Sequence, residues 1–249
     1  MTRALLILFV VIAANPTPIH GPFGAGANQV WVLRPAGPVH AIVVFGHGWK
    51  VAPPSGAYPW VGQFRPWLGH LVARGDAVIF PRYQLGGDRP GAARADAYRV
   101  GLAEGFRRLS LPAATPVVAM GYSYGASLAL TFAANARAWH LPVPAAVDAV
   151  FPAGEIPGVP LPPLLPATRV LVQVGDRDTE AGTSGAAAFW AWLADHPARR
   201  KQYEVVRSRG SFVADHPSPK TGAAAARRAF WAPLDHLVTL AQRGLSRPR

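Results

Sequence analysis

The chain has 249 residues, half of them hydrophobic and 15% charged, which excludes global disorder and supplies enough apolar surface for a sizeable core. It contains no cysteine, so disulfides, thiolate-bound metals, iron–sulfur clusters and a thiol nucleophile are excluded together. The formal net charge is +12, but only three cations are lysines (Lys50, Lys201, Lys220) and no run of five basic residues occurs. Without a zinc-finger spacing, an aromatic RNP-like stretch or a leucine heptad, that charge reads as a solvated basic surface and predicts no nucleic-acid partner. A sharper reading of it is weak attraction to anionic envelope polymers or lipid headgroups.

The N-terminus opens with Met1-Thr2-Arg3, continues through an unbroken apolar stretch at 4–14 and then reaches Asn15-Pro16. This is the grammar of a secretory signal, and the stretch is well short of the ~20 residues a membrane-spanning helix needs. Cleavage is expected after Ala14, or after Ala27 in Ala25-Gly26-Ala27. Residues 1–20 are therefore expected to be leader, 21–249 a single domain, and the destination secreted or periplasmic. The competing reading of 4–14 is a first buried strand or helix.

Short runs rich in Val, Ile and Phe follow at 29–34, 41–45, 77–80, 117–120, 145–151, 170–174 and 203–206. Their near-continuous hydrophobicity predicts strands buried on both faces. Longer amphipathic runs at 61–74, 92–109, 124–139, 185–194 and 222–245 predict helices between them. Strands alternating with helices predict an α/β architecture with a mainly parallel sheet. The proline-rich stretch 152–166 is expected to cross the rim of the sheet, since it is too short for a cap domain; it predicts an open mouth.

The run 117–120 leads into Gly121-Tyr122-Ser123-Tyr124-Gly125 and then into a small-residue helical stretch. Strand, tight turn and helix form the context that a G-x-S-x-G nucleophile requires. The serine must project from a strained corner, glycines must keep side chains out of it, and the following helix aims its free N–H groups at the reacting oxygen. Here the sequence resembles the α/β-hydrolase superfamily, in its branch of serine esterases, lipases and related acyl hydrolases. The resemblance implies an α/β-hydrolase fold with helices on both faces of the sheet, no large cap domain, and the chain order serine, acid, histidine.

By that resemblance, the strand 41–45 runs into an oxyanion loop, Gly46-His47-Gly48-Trp49, with His47 organising the loop. The backbone N–H groups of Trp49 and Tyr124 would hold the oxyanion. The acid falls on Asp178 in Gly175-Asp176-Arg177-Asp178, with Asp176 and Glu155 as rivals; Asp176 is expected to serve the turn. The base falls on His216, in the loop after the last strand, with Asp215 ordering the turn. His236 and the remaining histidines lack such a context. Aromatic residues gather near the expected mouth, so Trp49, Tyr58, Trp60, Tyr122 and Phe212 are candidate substrate contacts.

No HExxH, Walker A or dinucleotide fingerprint is present, and no metal or cofactor is expected. The expected activity is hydrolysis of a small-molecule or polymeric carboxylic ester through an acyl-enzyme. The alternatives are a peptidase, thioesterase or polyester hydrolase with the same triad, or a catalytically silent scaffold that binds a ligand.

Overall fold

The computed structural model describes residues 18–50, 60–85 and 91–245. The expected leader segment 4–14 and Tyr58 lie outside the described residues. Eight strands form one sheet: β1 (Ile19–Phe23), β2 (Val30–Leu33), β3 (Ala41–Gly46), β4 (Asp76–Pro81), β5 (Val117–Tyr122), β6 (Ala146–Val150), β7 (Arg169–Gly175) and β8 (Lys201–Val206). Their spatial order is β1-β2-β4-β3-β5-β6-β7-β8. β2 is antiparallel to both β1 and β4, and β4, β3, β5, β6, β7 and β8 are mutually parallel.

The helices are α1 (Arg65–Ala73), α2 (Gly91–Leu109), α3 (Tyr124–Asn135), α4 (Ser184–Trp192), α5 (Ala224–Ala226) and α6 (Ala232–Leu245). α3 is buried almost all round, whereas α2 buries a stripe at helical spacing. α2 turns Ala95, Tyr98, Leu102 and Leu109 inward, while Glu104 pairs with Arg107 and Arg108. Two core clusters result, one on each face of the sheet. α2, α3 and α4 cover one face, and α1 and α6 the other, where Trp67 stacks on Trp231 at 5.5 Å. Coverage on both faces explains why β3 to β7 read as continuous apolar runs.

The expected elements are found, with shifted ends. The seven expected strands are present, and an eighth, β1, begins at Ile19, inside the stretch read as leader. It joins by antiparallel pairing, which needs no crossover helix and leaves no strand–helix alternation to read. The expected last helix is interrupted by a π turn at Arg227–Trp231. Such a turn loosens the backbone ladder, and here the Ala229 carbonyl accepts a hydrogen bond from Gln173 Nε2 at 2.9 Å.

The stretch 152–166 contains no helix or strand and is tied down along its length. Asn135 Nδ2 donates to the Pro160 carbonyl at 2.8 Å, Trp192 Nε1 donates to the Leu161 carbonyl at 2.9 Å, and Ile156 and Leu164 are buried. It runs as a strap over α3 and α4.

Candidate active site

The parallel register brings the carboxyl ends of four strands to one edge. Gly46 of β3 lies beside Gly121 of β5, Tyr122 beside Val150 of β6, and Val150 beside Gln173 of β7. The loops that leave these ends build the site.

Ser123 occupies the corner between β5 and α3, with φ +57° and ψ −127°. A non-glycine residue in this region is strained and persists only where its surroundings fix it. The surroundings do so by close backbone packing. A Cβ on Gly121 would lie 2.0 Å from the Gly125 carbonyl oxygen, and one on Gly125 would lie 2.3 Å from the Gly46 carbonyl carbon. Ser123 N–H donates to the Val150 carbonyl at 2.8 Å. Its hydroxyl makes no capping bond to the helix it precedes. Tyr124 is the first residue of α3, so its N–H has no acceptor within the helix.

The loop after β3 is organised around His47. The ring is buried between Trp60 and Tyr83, with both centroids at 4.3 Å. Nδ1 lies 2.8 Å from the Gly48 carbonyl and Nε2 lies 2.7 Å from the Arg82 carbonyl. Tyr83 Oη donates to the carbonyl of His47 itself at 2.7 Å. Burial drives the imidazole pKa down to about 4 against the pull of these carbonyls, so the ring is neutral near pH 7. A neutral ring donates to only one carbonyl at a time. This environment suits a scaffold residue and opposes a proton-transfer role.

Asp178 and His216 meet across 38 positions of sequence, with His216 Nδ1 and Asp178 Oδ2 2.9 Å apart. Two sets of contacts lace their loops together. Arg177 N–H donates to the Ala214 carbonyl, and both N–H and Oγ of Ser208 donate to Asp176 Oδ1. At Gly175 a Cβ would sit 2.1 Å from the Ala214 oxygen, so the close approach needs glycine. Burial pushes the Asp178 carboxyl up, but the hydrogen bond and charge of His216, with the N–H groups of Ala181 and Glu180, outweigh it and hold the group below its usual value. Asp176 thus serves the turn, and Asp215 Oδ1 accepts from Ser218 N–H. Glu155 is exposed on the strap.

Ser123 and His216 line two adjoining cavities together. One, of about 50 Å³, is also lined by Gly48, Trp49 and Tyr122. The other, of about 460 Å³, is lined by Trp49, Tyr124 and Ala153. Among the described residues no hydrogen bond joins Ser123 Oγ to His216 Nε2. Such a contact is often long before substrate arrives. A larger hollow of about 920 Å³ lies beside α1 and the Arg34–Pro38 turn, and its lining includes none of these residues.

The structure corrects two of the candidate substrate contacts. Trp60 is fully buried behind His47, and Phe212 packs against the α1/α6 core from a tight turn and lines neither cavity. Tyr122 is also largely buried. Its hydroxyl donates to the His216 carbonyl at 2.7 Å, while its ring edges the smaller cavity. Trp49, exposed at 37%, lies at the mouth of both. Sequence reasoning missed Glu180, Lys220 and Arg94. Glu180 Oε2 lies 3.8 Å from His216 Nε2. Lys220 follows His216 in the turn Ser218–Lys220, and Arg94 of α2 places its guanidinium 5.6 Å from the Trp49 ring centroid. Glu180 and Lys220 stand within a few residues of Asp178 and His216 along the chain; Arg94 carries no such signal. No group of three or more His, Asp or Glu suited to a metal occurs among the described residues.

Compared with solved structures, the chain superposes along nearly its whole length on a fungal esterase from Rhizomucor miehei, with a TM-score of 0.63, 16% identity, and 94% of this chain and 84% of the other covered. The chain has the α/β-hydrolase fold. Esterase B from Lactobacillus rhamnosis, inhibited by a tributyrin phosphonate, gives a TM-score of 0.66 at 13% identity, covering 91% of this chain and 86% of that one. A hormone-sensitive lipase from a metagenome library gives 0.61 at 14%, covering 87% and 84%. No protein-family model matches the sequence, and no curated protein matches it significantly. The α/β-hydrolase fold thus stands on three-dimensional likeness, at identities where fold and activity are separate questions.

Proposed function

We propose that this α/β-hydrolase cleaves carboxylic esters through an acyl-enzyme, with Ser123 as nucleophile, His216 as general base and acid, and Asp178 as the group that orients His216. The observation that carries this reading is the 2.9 Å pair of His216 Nδ1 and Asp178 Oδ2, set in cavities shared with a serine held at φ +57°. With Asp178 accepting from Nδ1–H, the free lone pair of His216 is on Nε2, which takes the Ser123 proton as Oγ attacks the ester carbonyl. The backbone N–H groups of Trp49 and Tyr124 donate to the oxyanion, each worth about 3 kcal/mol in the transition state. Nε2–H then protonates the departing alcohol. Water repeats the sequence in reverse, with His216 taking its proton, and releases the acid and the free serine.

Several structural neighbours are described as esterases and one as a hormone-sensitive lipase, against one described as a thioesterase, which favours ester chemistry over the other acyl transfers. The test is hydrolysis of p-nitrophenyl butyrate by the wild-type protein and by Ser123→Ala, with covalent labelling by a phosphonate in parallel. Burst release of nitrophenol and label on Ser123 in the wild-type protein alone are expected. Equal turnover by the two proteins would end the proposal.

A further inference from the structure

The mouth of the site carries more positive charge than ester hydrolysis needs. Two of the chain's three lysines, Lys50 and Lys220, line the 50 Å³ cavity beside Ser123 and His216, with Glu180 as its one carboxylate among the described residues. Lys220 is half-buried, with Nζ 5.0 Å from the Tyr122 ring centroid. Burial pushes its ammonium pKa down and the charge of Lys50 pushes it further, while Glu180 and Asp215 pull the other way. Among the described residues no hydrogen bond reaches the Nζ of either lysine.

The carboxylates nearby offset this charge only in part. Asp178 is committed to His216 and to the N–H groups of Glu180 and Ala181. Asp215 Oδ1 accepts from Ser218 N–H. Glu180 has a side chain 69% exposed to water, where screening weakens its pull. Two ammonium groups lining one cavity, one of them partly desolvated, form a place where an anion is stabilised. The cavity has room for only a few water molecules, so the anion must lie close to the reacting centre.

We propose that the substrate carries its own negative charge: a short acyl chain ending in a carboxylate, seated between Lys50 and Lys220. The larger cavity, with Trp49 and Tyr124, is left for the alcohol portion. This inference rests on the ester-hydrolase reading and names the substrate class for it. Lys50 and Lys220 then act as specificity residues.

The test uses two esters that differ at the end of a four-carbon acyl chain, monoethyl succinate and ethyl butyrate. Ethanol release is followed with the wild-type protein, Lys50→Met and Lys220→Met. The expected result is a kcat/KM about tenfold higher for the succinate ester, the size of a charge-assisted contact. That preference shrinks in each variant and at high ionic strength. Equal kcat/KM for the two esters in the wild-type protein, or a preference that both variants retain, overturns the inference. Calorimetric titration with succinate and butyrate separates the two failures. Turnover of ethyl butyrate with no tighter binding of succinate sinks the anion site and leaves the hydrolase standing. Tighter binding of succinate, lost in both lysine variants, with no turnover of either ester, supports the anion site and sinks the hydrolase reading.

Discussion

Asp178, just past the end of β7, and Asp148, on the neighbouring β6, are both buried, yet their surroundings push them in opposite directions. Asp178 meets an imidazole and two backbone N–H groups, which hold it ionised. Asp148 stands in the middle of β6 with neither oxygen hydrogen-bonded by a described residue. Burial, with the charge of Glu204 added, pushes its carboxyl well above the usual value. Desolvation acts on both; only the strand end offers a loop that can bring donors to the group. The edge of the sheet is where a charge can be kept, and the middle is where it is lost.

The largest effect should come from removing the charge at the edge. Asp178→Asn reverses the hydrogen-bonding demand on Nδ1 and should lower kcat toward p-nitrophenyl butyrate by about 10³- to 10⁴-fold. A loss smaller than tenfold would mean that Asp178 does not orient His216. Next, the contrast requires a rigid edge. Gly125→Ala drives a methyl into the Gly46 backbone and should cost more than about 4 kcal/mol in urea unfolding, or prevent folding; a variant of near-normal stability would show a plastic corner.

Asp148→Asn probes the other member of the pair. Its folded-state pKa is raised, so the stability linked to its proton is fully present below the unfolded value near 3.8 and is lost as pH rises through the folded value. The variant should lose that decline and be the more stable protein at alkaline pH. Parallel stability curves for the two proteins would place the proton elsewhere. Asp76, at the start of β4, is an intermediate case. Burial raises it to about 6, while Arg74, with Nε 4.0 Å from Oδ2, lowers it. Stability linked to its proton should therefore fall between pH 3.8 and about 6, and Asp76→Asn should flatten that window by about 1–2 kcal/mol. An unchanged slope there would be the contrary result.

Much of the strand-end architecture was legible along the chain because it is written in local grammar. Gly121-Tyr122-Ser123-Tyr124-Gly125, directly after an apolar run, specifies a corner. Gly175-Asp176-Arg177-Asp178, at the end of β7, specifies a turn. Both are read from the point where continuous hydrophobicity stops, and the central strands are legible for the same reason, since they are covered on both faces.

What was not legible depends on which way a side chain faces. Trp60 is as aromatic as Trp49 and close to it in sequence, but one stacks behind His47 while the other stands at the mouth. β1 was hidden because an antiparallel edge strand needs no crossover, and its Gly21-Pro22 interrupts the apolar pattern. Lys50 and Lys220 reach one cavity from separate segments, and Arg94 reaches its neighbour from a third, so no single spacing along the chain announces them.

His47 carries one more consequence. Since its ring stays uncharged down to about pH 4, the loop it braces keeps one shape through mild acidification. A fall in rate on lowering the pH above that point must come from some other group, so the acid limb of a rate profile can be assigned without allowing for collapse of the loop that follows β3.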